Sequence, residues 1–523
     1  MSAPSNMRPL AQEHAVTPAA NPWMVAAAVM LATFMVVLDS SVANVALPHM
    51  AGSLSASTDE STWVLTSYLV SNAIMLPAAG WLARRIGRKR LLILSILIFT
   101  AASLLCGMAL NMPMLIVARI LQGVGGGGMQ PLAQSILLES FPPRQHGTAM
   151  AVYGIGVVVA PIIGPTMGGW ITDSYSWRWI FYINLPIGIL ALFMVNLYIV
   201  DPPYLRKAFR GAIDYLGFGL MALWLGTLQL VLDKGQEADW FAASWVRWMV
   251  AVSTLALAAF IVRELTNRDP IVQLRVLADR NFGMGILVTV IYGFVLYGIT
   301  AMLPLFLQTV LGYSALQSGL TVSPRGIGAM ASMIAVGILV RWVDGRLLMA
   351  FGFAILGFST WMLSWISLEI GMASVVVPNV LNGFAMGFIF VPLTTMTLSR
   401  LRKQDIGNAT GIFNLMRNIG GSVGIASVVT ALVRGAQVHQ TYLSADAAGS
   451  PLAGAMVRGL QAKLFSQGTD MVSAHQRALG ALYRSVEQQS VLLAYADNFR
   501  LLAVLSLLCV PLVLLFQRVK KQD

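Results

Sequence analysis

Charge is what this sequence has least of: Asp, Glu, Lys and Arg make up 11% of its 523 residues, against roughly 25% in soluble proteins. With 57% of the chain hydrophobic, there is far more apolar surface than one soluble core can bury, and lipid is the solvent that suits it. Cysteine is nearly absent. Cys106 and Cys509 fall in separate apolar runs far apart in the chain, so no disulfide and no metal site are expected. The five histidines, at 14, 49, 146, 439 and 475, show no metal-ligand spacing. No G-x-x-x-x-G-K-S/T phosphate loop and no G-x-S-x-G nucleophile elbow occurs, which argues against direct ATP coupling and against an enzyme of the hydrolase type.

What is present is a series of apolar stretches of about twenty residues, each long enough to cross a hydrocarbon core roughly 30 Å thick. Membrane helices are expected near 23–47, 60–82, 91–109, 113–137, 146–170, 179–200, 213–232, 244–263, 282–307, 318–341, 347–365, 373–397, 408–433 and 499–517. The fold class is therefore an all-α membrane protein. A tail at 1–22 and another at 518–523 flank a first six-helix bundle (23–200), two linker helices (201–270) and a second six-helix bundle (271–517). The one long connection, 434–498, is Ala-, Gln- and Ser-rich, with a weakly amphipathic helix expected over 471–490. It reads as a solvated hairpin or, more sharply, as a docking surface for a partner outside the cell membrane.

The net charge of +12 does not form one basic face for nucleic acid. Basic residues cluster in alternate connections: Arg84, Arg85, Arg88, Lys89 and Arg90; Arg144; Arg206, Lys207 and Arg210; Arg263, Arg268, Arg275 and Arg280; Arg341 and Arg346; Arg400, Arg402 and Lys403; Arg518, Lys520 and Lys521. The opposite connections before 434–498 hold only Arg178 and Lys234. The positive-inside rule then places both termini in the cytoplasm. Residues 1–21 lack the charged start and cleavage site of a secretory signal, so the first helix is expected to remain in the mature protein.

A shift of about 260 residues lays Gln122-Gly123 on Asn382-Gly383, Gly127 on Gly387, Gly147 on Gly407 and Ala149 on Ala409. Similarly, GWLARRIGRKRLL from Gly80 matches GILVRWVDGRLL from Gly337 after one deletion. Repeated halves of this kind are common in transporters.

Ionisable groups inside a membrane are costly and mark function by default. Asp39, Arg119, Arg325 and Arg417 stand out. Counted from the ends of their helices, Asp39 and Arg119 lie at roughly 13 and 9 Å depth, at 1.5 Å per residue, hence at nearly one level. Burial opposes the ionised form of a carboxylate and a neighbouring arginine favours it. An arginine that approaches in one conformation and withdraws in another would therefore switch proton affinity, whereas a static pair would only hold helices in register.

The fifth expected helix carries APIIGPTMGG, with Gly156, Pro161, Gly164, Pro165, Gly168 and Gly169. Such a run reads either as close helix packing or as a pivot between two states. QGVGGGG, from Gln122, has the G-x-G-x-x-G spacing but no preceding strand, so it is no nucleotide signature. Polar residues that could line a hydrophobic-substrate pocket are Asn44; Gln122 and Gln130; Asn379, Asn382 and, beside them, Met386; Asn414, Arg417 and Asn418. Interhelical hydrogen bonding is the competing role for each.

LDSSVANVALP (from Leu38), RILQGVGGGG (from Arg119), the APIIGPTMGG run and SWRWIFYINLPIG (from Ser176) together resemble the signatures of the fourteen-helix drug:proton antiporters of the major facilitator superfamily. The resemblance covers essentially the whole chain. It implies a major facilitator fold of 6+2+6 helices in two pseudo-symmetric bundles, in a bacterial inner membrane. It implies that Asp39 carries the proton and Arg119 answers to it, that the proton motive force replaces any cofactor, and that substrates are lipophilic weak acids, uncouplers or antibiotics. As partners it implies a periplasmic adaptor of the EmrA type and an outer-membrane channel of the TolC type. The loop motif, with Gly80, Arg85, Gly87 and Arg88, departs from the family pattern at Arg84, where an Asp is usual. Export of an endogenous lipid-like molecule, fatty acid or siderophore is the alternative within transport.

Overall fold

The computed structural model describes residues 21–201, 214–267 and 269–517. The expected tail 1–22 lies almost wholly outside them, as do Arg206, Lys207, Arg210, Arg268, Arg518, Lys520 and Lys521. The described chain forms helices α1 (Pro22–Ser53), α2 (Thr58–Ile86), α3 (Arg88–Gly107), α4 (Met112–Gly127), α5 (Met129–Ser140), α6 (His146–Ser174), α7 (Trp179–Tyr182) and α8 (Asn184–Tyr198). After them come α9 (Tyr215–Lys234), α10 (Ser244–Thr266), α11 (Arg280–Thr309), α12 (Ala315–Val322), α13 (Pro324–Leu339), α14 (Gly345–Met362) and α15 (Met372–Leu398). The last three are α16 (Lys403–Gly449), α17 (Pro451–Ser466) and α18 (Met471–Leu514).

Among the described residues, thirteen helical stretches are long and apolar enough to cross a membrane by length and composition. The expected fourth span is not among them, because it is two abutting helices, α4 of 16 residues and α5 of 12, each short of the length needed. The cause is local. Pro131 has no N–H to donate back to Gly127, and the four glycines before it resist helix propagation. Pro324 at the first turn of α13 divides another expected span in the same way.

Both bundles use one packing plan. In the first, α2 lies on α4, α4 on α3, α3 on α8, and α1 on α6 and α8. In the second, α13 lies on α15, α15 on α14, α14 on α18, and α11 on α16 and α18. The bundles meet where α6 crosses α13 and α2 crosses α16. Glycines permit those crossings: a Cβ on Gly80 would come within 2.6 Å of the Gly407 carbonyl, and one on Gly337 within 3.2 Å of Ala151 Cβ. Since Gly80 matches Gly337 in the sequence repeat, the two crossings are related by the pseudo-twofold. Linker helices α9 and α10 pack on each other, and α9 touches both α2 and α16.

The 434–498 connection is not an irregular loop. Instead α16 continues to Gly449, α17 follows, and α18 begins at Met471, taking in the helix expected over 471–490. Ala, Leu, Gln and Arg are strong helix formers, and the ends are capped, with Ser450 accepting from Ala453 N and Asp470 from Val472 N and Ser473 N. Two contacts join the paired rods beyond the apolar zone. His439 Nε2 lies 2.8 Å from Asp497 Oδ2, and Gln440 Nε2 donates to Tyr483 Oη at 3.0 Å.

Candidate functional site: a buried ion pair in the first bundle

Asp39 lies mid-way along α1 and Arg119 two turns into α4, and the fold brings them together. Arg119 Nη1 donates to Asp39 Oδ2 at 2.6 Å, with both side chains essentially inaccessible. Gln122, one turn after Arg119 on the same face, donates from Nε2 to Asp39 Oδ1 at 2.8 Å and accepts from Arg119 Nη1 at 2.8 Å. Asn184, the first residue of α8, donates to the same Oδ1 at 2.8 Å and to Ser103 Oγ at 3.0 Å, and Ser103 donates to the Phe181 carbonyl at 2.8 Å. All three contacts on Asp39 are donor to carboxylate, the bonding of an ionised aspartate.

Arg119 is held on every side. Its Nε donates to the Val64 carbonyl at 3.0 Å, and its guanidinium lies 4.3 Å from the Tyr68 ring centroid and 5.7 Å from that of Phe181. Its Nη2 is buried without an acceptor. Toward the α1 C-terminal end the pair is covered by an apolar cluster that includes Val42, Ala46, Leu115, Ala118, Ile180 and Phe181. Gly123 lets α4 settle onto α2, since a Cβ there would lie 2.1 Å from Ser71 Oγ and 2.5 Å from the Tyr68 carbonyl. Gly125 does the same against Phe99 N of α3, at 2.6 Å. The glycine run thus lowers Arg119 into contact with α1 and α2.

The remaining residues singled out in the sequence separate into other groups. On α6, a Cβ on Gly164 would lie 2.5 Å from Ser41 Cβ, one on Gly168 2.9 Å from Val42 Cγ1 and one on Gly156 2.9 Å from Met30 Cε. That face therefore runs along α1 beside Asp39, with Gly169 at its edge and with Pro161 and Pro165 inside one continuous helix. Gln130, Asn414 and Arg417 meet between the bundles: Arg417 Nη2 donates to Gln130 Oε1 at 2.9 Å and Asn414 Nδ2 to Gln134 Oε1 at 2.7 Å. Asn379 donates to the Val322 carbonyl at 2.7 Å, where α12 ends, and Asn382 to Thr360 Oγ1 at 3.4 Å. Asn44 is exposed on α1, whereas Met386 and Asn418 are half-buried.

The loop motif is built into the fold as well. Gly87 takes a φ of +91°, and a Cβ on it would lie 2.5 Å from Asp201 Oδ2. Asp201 accepts from Lys89 N at 2.9 Å, Arg88 pairs with Glu139, and Arg85 covers the Trp81 ring at 4.5 Å. Arg84, at the position where an acid was expected, donates instead to the Pro270 carbonyl at 3.3 Å.

Residues 29–425 match the family model described as Major Facilitator Superfamily. The chain belongs to the major facilitator superfamily. Among curated members it is 38% identical to the multidrug export protein EmrB of Haemophilus influenzae, over 80% of this chain and 82% of that one. It is 36% identical to the fatty acid resistance protein FarB of Neisseria gonorrhoeae, over 92% and 94%. Its fold matches that of the human organic anion transporter MFSD10 with a TM-score of 0.58 at 13% identity, over 93% of this chain and 99% of that one. It is a multi-pass membrane transporter.

Sequence reasoning paired Asp39 with Arg119 and missed Asn184, Ser103 and Tyr68; Gln122, expected in a substrate pocket, bonds to the ion pair instead. Ser103 and Asn184 are polar residues in apolar runs and Tyr68 is one of several polar residues in its segment, weak signals alone. Asn184 did lie inside the SWRWIFYINLPIG segment, and its position there was the available clue.

Proposed function

We propose that this transporter is a drug:proton antiporter that exports hydrophobic or amphipathic drugs across a bacterial inner membrane. The observation that carries this reading is the sealed Asp39–Arg119 pair with Gln122 and Asn184. A proton arriving at a carboxylate oxygen of Asp39 removes the charge that holds Arg119 Nη1. Arg119 then relaxes toward Tyr68 and the Val64 carbonyl, which it already touches. The face of α6 carrying Gly164 and Gly168 lies against the residues just after Asp39, so a change in α1 is passed to the helix that also crosses α13 of the other bundle. Protonation is thereby tied to rocking of the bundles.

With both termini cytoplasmic, the interbundle bonds of Gln130, Gln134, Asn414 and Arg417, and the Gly80 crossing, lie on the cytoplasmic side. This arrangement is the cytoplasm-closed state of the cycle. One proton moving inward through roughly 100 mV releases about 2.3 kcal/mol. At 1.4 kcal/mol per tenfold, that sustains nearly a fiftyfold substrate gradient.

The paired extensions of α16 and α18 then project into the periplasm, the position an adaptor of a tripartite efflux pump would engage. Similarity to EmrB over most of the chain supports drugs as cargo. Similarity to FarB favours a second reading, export of a fatty acid or another lipid-like molecule.

The decisive measurement is uptake of a fluorescent lipophilic drug into inside-out vesicles, with and without an imposed pH gradient, for the native chain and Asp39→Asn. Gradient-dependent uptake by the native chain that vanishes in the variant is expected. Uphill uptake by Asp39→Asn at the native rate would sink the assignment.

A further inference from the structure

The first bundle balances its buried arginine with an acid, and the second does not. Arg325, on α13, and Arg417, on α16, are only 9% and 6% exposed. Among the described residues neither has a carboxylate at ion-pairing distance. Arg325 Nη1 donates to Thr300 Oγ1 at 2.8 Å, while its Nε and Nη2 are buried with no acceptor. Among the described residues Arg417 donates through Nη2 alone, to Gln130 Oε1, and its Nε is likewise buried and unpaired. Both arginines sit against α11: Thr300, which accepts from Arg325, lies about two turns after Gly293, where a Cβ would meet the Arg417 carbonyl at 2.3 Å, and the fully buried Tyr292 stands beside Gly293.

Burying a guanidinium without a counter-ion costs several kcal/mol even after relaxation. The three buried donor nitrogens without an acceptor, Nε and Nη2 of Arg325 and Nε of Arg417, add to that cost. An oxyanion would remove both penalties, because a guanidinium fork matches carboxylate geometry in two parallel bonds. Aromatic rings stand on α11 and the helices around it. Tyr292 stands edge-on to Phe353 with centroids 6.3 Å apart, and Tyr153 stacks on Phe390 at 6.2 Å.

We infer that Arg325 and Arg417 form the anion subsite of the substrate pathway, taking the head of a lipophilic carboxylate whose apolar body lies against these rings. The inference rests on the export reading above and adds the charge of the cargo to it. It also supplies a link to the cycle. The one bond Arg417 makes crosses to Gln130 of the first bundle, so an anion that engages Arg417 competes with cytoplasmic closure.

The test uses the purified full chain in phosphatidylcholine vesicles and three probes of one chain length: laurate, methyl laurate and dodecyltrimethylammonium. Binding is followed by scintillation proximity for the native chain and for Arg325→Gln, Arg417→Gln, Arg325→Lys and Arg417→Lys, with thermal unfolding as the check on folding. Each Gln variant is expected to weaken laurate by about tenfold or more, as loss of a charge-assisted hydrogen bond dictates. Methyl laurate and the cation should be unchanged, and the Lys variants should recover part of the laurate affinity. Equal weakening of all three probes, or no weakening of laurate, would overturn the subsite. Displacement of laurate by phosphatidylglycerol added to the vesicles would assign the arginines to a lipid headgroup and overturn the substrate reading. If the native chain moves no probe under a pH gradient, the antiport reading falls, and laurate binding still decides the subsite.

Discussion

In the first bundle Gly123 of α4 rests on the Tyr68 carbonyl of α2, and in the second Gly383 of α15 rests on the Arg325 carbonyl of α13. The two glycines are equivalent in the internal repeat, so Tyr68 and Arg325 occupy equivalent places. One turn earlier, Arg119 in the first bundle is matched by Asn379 in the second. Arg119 reaches across to Asp39, whereas Asn379 turns back to the carbonyls that end α12. The backbone plan has been kept and the charges have been moved. A close glycine crossing places whatever stands beside it at a fixed depth, so one scaffold can hold an acid–base pair in one half and unpaired cations in the other.

The largest effect expected from breaking this contrast comes from copying the second bundle into the first. Arg119→Asn leaves Asp39 buried without its cation, which should cost about 3–5 kcal/mol in thermal unfolding and abolish gradient-driven uptake. Native stability in that variant would show that Asp39 is not ionised in this state. Next, Gly123→Ala and Gly383→Ala should each destabilise by about 1–3 kcal/mol, because in both a Cβ meets backbone at 2.5 Å or less. Tolerance of one but not the other would break the equivalence of the two crossings.

Gln122→Ala should cost about 1–3 kcal/mol by uncovering a charge, and its repeat mate Asn382→Ala under about 1 kcal/mol, since Asn382 makes a single bond of 3.4 Å. Denaturation in detergent would read the difference, and equal costs would deny the asymmetry. The smallest effect belongs to the interbundle bonds. Gln134→Ala removes the Asn414 contact and should shift the closed state by about 0.5–1.5 kcal/mol. Faster cytoplasmic-side labelling of a cysteine introduced as Thr410→Cys would report that shift, and unchanged labelling would contradict it.

Most of the architecture was legible because lipid imposes a length and a composition on every span. That Asp39 and Arg119 lie at nearly one level was legible from depth, since helical rise converts position in the chain into height. Hydropathy could not register that α16 and α18 continue past the apolar zone, because it reports solvent preference and not backbone conformation. Nor could it place Asn184, whose partners come from α1 and α3 and depend on how three helices lean together. The break at Gly128 was within reach, because Pro131 and four glycines advertise it. The fate of Arg84 was not, as its partner Pro270 lies 186 positions away.

The continuous rods have a mechanical consequence. Residues 434–449 of α16 extend the helix by about 24 Å beyond its last expected membrane residue, at 1.5 Å per residue. Rotation of the second bundle about a centre within the membrane moves each point in proportion to its distance from that centre. Under such a rotation Gly449 would sweep a longer arc than any side chain near that centre. In the proposed rocking cycle the extension would act as a lever, turning a small internal tilt into a larger displacement at its tip.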